Sequence, residues 1–174
     1  MKQTQGADFS SEYVRVVTSR FLEMKKTAEK AFEQVEEDFL CWSPNEESNS
    51  IAVIVQHMSG NMISRWTDFL TTDGEKKERN RDQEFINTIE NKEQLYEVWN
   101  RGWGVLFHAL KDLKEEELLH TVFIRNEPHT VIEAIERQMY HYSYHTGQIV
   151  YITKQVAGEE WTSLTIPKKK SKDL

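Results

Sequence analysis

The sequence predicts an all-α protein built as a four-helix bundle, and three observations carry that prediction. Helix breakers are scarce, with seven glycines and three prolines in 174 residues. Four long stretches place apolar residues every three or four positions, the period of a helix with one buried face. Each stretch also opens beside a residue whose side chain can cap a helix.

The first helix is expected over residues 9–39, with Ser10 or Ser11 as its cap. Tyr13, Val17, Phe21, Met24, Ala28, Phe32, Val35 and Phe39 draw its apolar stripe, while Glu23, Lys25, Lys26, Glu29, Lys30 and Glu36 fill the opposite face. Pro44 stops any continuation. Ser48, Asn49 or Ser50 then caps a second helix over residues 51–70, whose stripe is Ile51, Ile54, Val55, Met58, Met62, Trp66 and Phe69. His57 lies beside that stripe, with Asn61 and Ser64 on the same side. Gly74 is expected to end this helix in a left-handed conformation.

Residues 75–84 are dense in charge: Glu75, Lys76, Lys77, Glu78, Arg79, Arg81, Asp82 and Glu84. Two readings stand. The segment is an exposed, mobile connection, or it covers a pocket mouth with Arg79 or Arg81 offering a planar fork to an anion. Asn91 and Gln94 form a capping box for a third helix over residues 91–113, with Leu95, Val98, Trp99, Gly102, Leu106, Ala109 and Leu113 as its stripe. Gly102 and Gly104 inside it permit close helix approach or leave a cavity beside Trp99 and Trp103. His108 and His120 read as surface residues. Residues 121–129 make an extended turn or a small hairpin. Thr130 and Glu133 form another capping box, opening a fourth helix over residues 131–156 that ends at Gly158. Trp161, Leu164, Ile166 and Pro167 are expected to fold back as an apolar strap.

Composition narrows the function. The net charge of −7 argues against a general nucleic-acid binder, since phosphates are held by clustered Lys and Arg. The basic run from Lys168 to Lys172 reads as a solvated tail, and residues 1–8 and 168–174 as flexible ends of one domain spanning 1–174. Cys41 is the sole cysteine, so no intrachain disulfide or Cys-rich metal site can form, which fits a cytoplasmic protein. No run approaches the 18 apolar residues of a membrane span, and the polar start does not resemble a signal peptide.

His141 and His145 are four apart in the fourth helix, so both imidazoles stand on one face. With His57 from the second helix they would make a three-histidine site, leaving positions open for water or substrate. Such ligands suit zinc, nickel, iron or copper, with zinc or nickel foremost. Asn61, four past His57, and Gln148, three past His145, could orient a ligand or a bound water. Arg65 is a further pocket candidate.

The segments Gln56-His57-Met58-Ser59-Gly60-Asn61 and His141-Tyr142-Ser143-Tyr144-His145-Thr146-Gly147-Gln148-Ile149 resemble the DinB-like (DinB/YfiT) superfamily. The strings running from Gly60 to Glu75 and from Trp161 to Pro167 are similar to a sparsely characterised subgroup of it. The resemblance implies an up-down-down-up bundle, often a homodimer, with a divalent metal on the histidines at 57, 141 and 145. It also implies a small-molecule substrate, with thiol-dependent S-transferases and isomerases (mycothiol or bacillithiol) and metal-dependent hydrolases among its members. One departure bears on mechanism. Tyr142 stands where some relatives carry a glutamate able to take a proton from metal-bound water. Thiol transfer suffers less from its loss, because a metal itself lowers the pKa of a bound thiol. A non-catalytic metal-binding bundle, acting as a sensor or dimeric interaction module, is the alternative.

Overall fold

The computed structural model describes residues 9–167, so the two predicted tails and the basic run lie outside the described residues. Four helices account for most of it: α1 (Phe9–Phe32), α2 (Ile51–Trp66), α3 (Lys92–Asp112) and α4 (Val131–Ala157). A hairpin of β1 (Thr121–Ile124) and β2 (Glu127–Thr130) precedes α4. Helix, short 3₁₀ turns included, makes up 63% of the described residues, so the protein is mostly helical with little strand. Among the principal helix contacts, α2 packs on α3 and α4, and α1 packs on α4 and α3. Their buried faces share one core, in which Phe21, Phe32, Met58, Trp99, Trp103 and Tyr142 are fully enclosed.

The predicted helices all form, with two ends moved. Because α1 begins at Phe9, Ser10 and Ser11 lie inside its first turn and do not cap it from outside. It stops at Phe32, seven residues short of the expected end. Gln34 and Val35 donate to carbonyls three residues back, which tightens the last turn, and Glu36 is extended. A short 3₁₀ turn (Glu37–Phe39) follows, which lets Glu37 Oε2 accept from Lys92 N at the start of α3 (2.8 Å). A tertiary cap thus outcompetes a continued stripe, and Phe39 is left exposed. Helix α2 ends at Trp66, and Asp68 takes the left-handed conformation (φ 47°) expected of Gly74. Phe69 keeps its place in the core from outside the helix, edge-on to Trp66.

Local capping behaves largely as the sequence predicts. Ser50 accepts from Val53 N, and Thr130 and Glu133 form a complete capping box. Asn91 caps α3, but the Gln94 side chain accepts from Glu90 N instead of closing the box. The residues at 121–130 form the hairpin. Arg125 and Asn126, both at positive φ, make its two-residue turn, the mirror-image type that matches strand twist. Of the apolar strap, Leu164 packs on the core and Gln34 grips the Thr162 backbone, but Ile166 is exposed.

Gly102 and Gly104 differ. A Cβ on Gly102 would lie 2.7 Å from the Ser59 Cα, so this glycine lets α3 press against α2. Nothing lies within 4 Å of a Cβ on Gly104, which borders an open groove with Trp66 and Leu113 and not a cavity beside Trp99 and Trp103. Gly102→Ala is therefore expected to destabilise the fold by about 1–3 kcal/mol through overpacking. Gly104→Ala should be neutral or slightly stabilising, because alanine is the better helix former. Urea unfolding of both variants checks the contrast.

Candidate metal centre

The site begins with two helical periods. On α2, His57, Asn61 and Arg65 recur every four residues and so line one side of the helix. On α4, His141 and His145 do the same. Because α2 packs against α4, the two rows meet. The ligand nitrogens of His57, His141 and His145 all lie within 4.8 Å of one another. His145 Nε2 is 3.0 Å and His57 Nε2 3.4 Å from His141 Nε2.

Outer partners aim the rings. A carboxylate can only accept, so its 2.9 Å contact with Glu84 Oε2 places the proton of His57 on Nδ1. Gln148 Oε1 accepts from His145 Nδ1 at 2.7 Å in the same way. Both rings then turn a bare Nε2 lone pair toward His141, which can offer at most one proton there. Facing lone pairs at this range repel unless a cation sits among them. Nitrogens on a tetrahedral zinc, at about 2.0–2.1 Å from the ion, stand roughly 3.3 Å apart, so the donor set and the two spacings at His141 fit such an ion. The His141 and His145 rings are also held neutral, as ligands must be. Burial, then the neighbouring His145 and His57, pushes His141 down to about 3. Burial outweighs the Gln148 hydrogen bond and takes His145 down to about 4.

The charged segment after α2 is not a mobile connection. Asp73 accepts from the backbone N–H groups of Glu75, Arg125 and Asn126, which ties it to the hairpin turn. Ser64 bonds both Gly74 O and Lys76 N. Gln56 holds the far end by donating to Ile86 O and accepting from Thr88 N. This anchoring brings Glu84 in under α2. Its carboxylate is gripped by Arg79 through two 2.7 Å hydrogen bonds, Nε to Oε1 and Nη2 to Oε2. Burial works to raise the Glu84 carboxyl, but Arg79 and His57 outweigh it and hold it below the usual range. The Phe85 ring stacks on His57 with centroids 4.9 Å apart, and the Arg81 guanidinium lies over the Phe85 ring, 5.2 Å from its centroid.

Gly60 belongs to this arrangement. A Cβ there would fall 2.4 Å from Glu84 Oε1, so any side chain would displace the carboxylate. Gly74 plays a like part for Arg65, whose Cδ and Nη1 would be 2.9 Å from a Cβ. That close approach, not a helix cap, is what requires glycine at 74.

The other predicted residues divide. Gln148 touches His145 as expected. Asn61 makes no hydrogen bond to a histidine among the described residues; its Oδ1 accepts from the Tyr142 hydroxyl (3.0 Å), which in turn accepts from Trp66 Nε1 (3.1 Å). Tyr142 is thereby turned into the core, where burial pushes its hydroxyl pKa up. Tyr140 is the tyrosine that reaches the cleft. That cleft, about 440 Å³, opens on His57 and His141 and is also lined by Asn61 and Arg65. His108 and His120 are exposed, away from the cluster. Sequence reasoning left Glu84 without a role, offered Arg79 only as a fork for an anion and did not single out Phe85 as His57's stacking partner. An acid and an arginine five residues apart in a charged run look like solvent-exposed residues until the loop is folded.

Three histidines could therefore hold a metal ion here, and the identity of the metal is open. Among the described residues no helix is long and apolar enough to cross a membrane. No curated protein matches the chain significantly. Residues 8–170 match a family described as proteins of unknown function (DUF1572), and the chain belongs to that family.

Proposed function

We propose that the protein is a metal-dependent enzyme acting on a small molecule, with a divalent transition ion, zinc or nickel, held by His57, His141 and His145. The observation that carries this reading is the convergence of three histidines, two of which, His57 and His141, line an open cleft. When bound, such an ion supplies Lewis acidity that lowers the pKa of a thiol or water at its open position. The chain's own groups choose between those uses. Tyr142 has its hydroxyl committed to Asn61 and Trp66. Glu84 is a weak base, held by Arg79 and His57. Among the described residues, none that lines the cleft is Asp or Glu. A hydrolase lacks its proton acceptor here, whereas a thiol that ionises readily needs none. Thiol transfer of the bacillithiol-dependent S-transferase kind is therefore placed ahead of hydrolysis.

The resemblance to DinB-like proteins belongs to the same proposal, with one up-down-down-up four-helix-bundle domain over residues 1–174, a cytoplasmic location and a homodimer. Tyr144 and Tyr151, exposed along α4, offer the dimer a surface. A sensor or purely structural metal site would be closed to solvent. The half-buried His141 facing the cleft favours an enzyme.

The test incubates protein of measured metal content with a low-molecular-weight thiol and a chloroaromatic acceptor. The carbon–sulfur bond forms as the carbon–chlorine bond breaks, releasing chloride and a proton. Metal-dependent thiol consumption, lost in His145→Ala, is the expected result. Ester turnover without any thiol would instead select hydrolysis, and equal rates in wild type and His145→Ala would sink the enzyme reading.

A further inference from the structure

The rest of the cleft has a character that the histidines do not explain. Five arginines line it: Arg65 from α2, Arg79 and Arg81 from the segment after it, Arg125 from the hairpin turn and Arg137 from α4. In a chain of net charge −7 this concentration is local, not compositional. Two carboxylates stand against the five. Glu84 is taken by Arg79, and Glu75 is shared among Arg65, Arg79 and Arg125 at 3.5, 3.0 and 3.2 Å. Among the described residues no carboxylate pairs with Arg81 or Arg137, so the cleft keeps an excess of positive charge.

Arg65 is the sharpest sign. Its side chain is 5% exposed, and its one ion pair is the long contact with Glu75. Nε and Nη1 have no hydrogen-bond partner. Gln138, another buried residue of the same wall, leaves its side-chain oxygen unpartnered. Burying a guanidinium this poorly compensated is costly, and burial lowers its pKa accordingly. An anion in the adjoining space would offset that cost. Guanidinium forks suit oxyanions by shape as well as charge. A cleft of about 440 Å³ suits a small molecule and not a macromolecular backbone.

We propose that this end of the cleft binds the oxyanionic head group, a phosphate or a pair of carboxylates, of a small substrate or cosubstrate. Arg65, Arg125 and Arg137 hold the anion. The placement of its reactive end at the histidines rests on the function proposed above, but the anion site itself does not need the metal.

Calorimetric titration at constant ionic strength tests this, with inorganic phosphate and succinate as probes and acetate and glycerol as controls. Wild type, Arg65→Met, Arg137→Ala and His145→Ala are compared, and the metal content of each sample is measured. One saturable site is expected for phosphate or succinate, and the tighter of the two identifies the head group. Loss of a charge-assisted contact should weaken it about 10-fold or more in Arg65→Met. A loss of about 5-fold is expected for the exposed Arg137, which should fold normally if Arg65→Met does not. Binding should persist in His145→Ala. Failure of both probes to saturate, or affinities unmoved by both arginine substitutions, would overturn the proposal. So would binding that depends on His145 alone, since the anion would then be a metal ligand. A metal-loaded protein without an anion site defeats only this inference; an anion site in a protein that takes up no metal defeats only the enzyme reading.

Discussion

Glu84→Ala will destabilise the protein by about 3–5 kcal/mol, the range for removing one partner of a buried ion pair and leaving the other charge behind. Arg79 is the charge left behind, with only its share of Glu75 still facing it. Its side chain is 5% exposed, and both of its contacts with Glu84 are direct. His57 loses its Nδ1 acceptor in the same step, so its ring is free to flip or change tautomer. Metal affinity should accordingly fall by about 10–100-fold, the usual consequence of removing an outer partner of a ligating histidine. Glu84→Gln separates the effects, because its amide oxygen can still accept from His57 while the charge facing Arg79 is gone. It should keep more affinity than stability. Urea unfolding and a competition titration with a chromophoric chelator measure the two quantities. Wild-type stability in Glu84→Ala would mean that the charged segment does not hold the site together.

Removal of the metal is the second large effect. At a free ion concentration a thousand times its Kd, binding to the folded state alone adds about 4 kcal/mol. For a chain of this size that corresponds to roughly 10 °C in melting temperature. Chelation of the wild-type protein should therefore lower its Tm by about this much, and His145→Ala should melt near the chelated value with or without added zinc. A wild-type Tm indifferent to both chelator and zinc would remove the metal from the account. The metal-free protein should also be acid-sensitive in a defined sense. His141 and His145 resist protonation down to about 3 and about 4, whereas in the unfolded chain they protonate near 6.5. Across that interval the unfolded state binds more protons, so stability falls as pH falls. The loss begins near 6.5 and levels off below the folded values.

Much of this architecture is legible in the sequence because it depends on repeats of three and four residues. The stripe from Tyr13 to Phe32, the row His57 and Asn61, and the pair His141 and His145 are each set by the pitch of one helix. The caps Ser50, Asn91 and Thr130 act within a single turn. Once α2 is taken to face α4, the three histidines follow without further information. Where the periodic argument overreaches, as at the end of α1, a contact from elsewhere intervenes: Glu37 turns away to cap α3.

The surroundings of the histidines have no such local signature. Glu84 reaches His57 across 27 residues, and it does so because Asp73, Ser64 and Gln56 pin the intervening chain at several points. The five arginines of the cleft come from three elements and a loop, and nothing in their spacing marks them as neighbours. Gly60 and Gly74 read as ordinary helix and turn glycines until Glu84 and Arg65 are seen lying against them. The sequence by itself therefore determined the helices and the histidines, since helical period is encoded residue by residue. Only the tertiary structure decided what faces those histidines, because charge pairing and close approach depend on distances that chain separation does not encode.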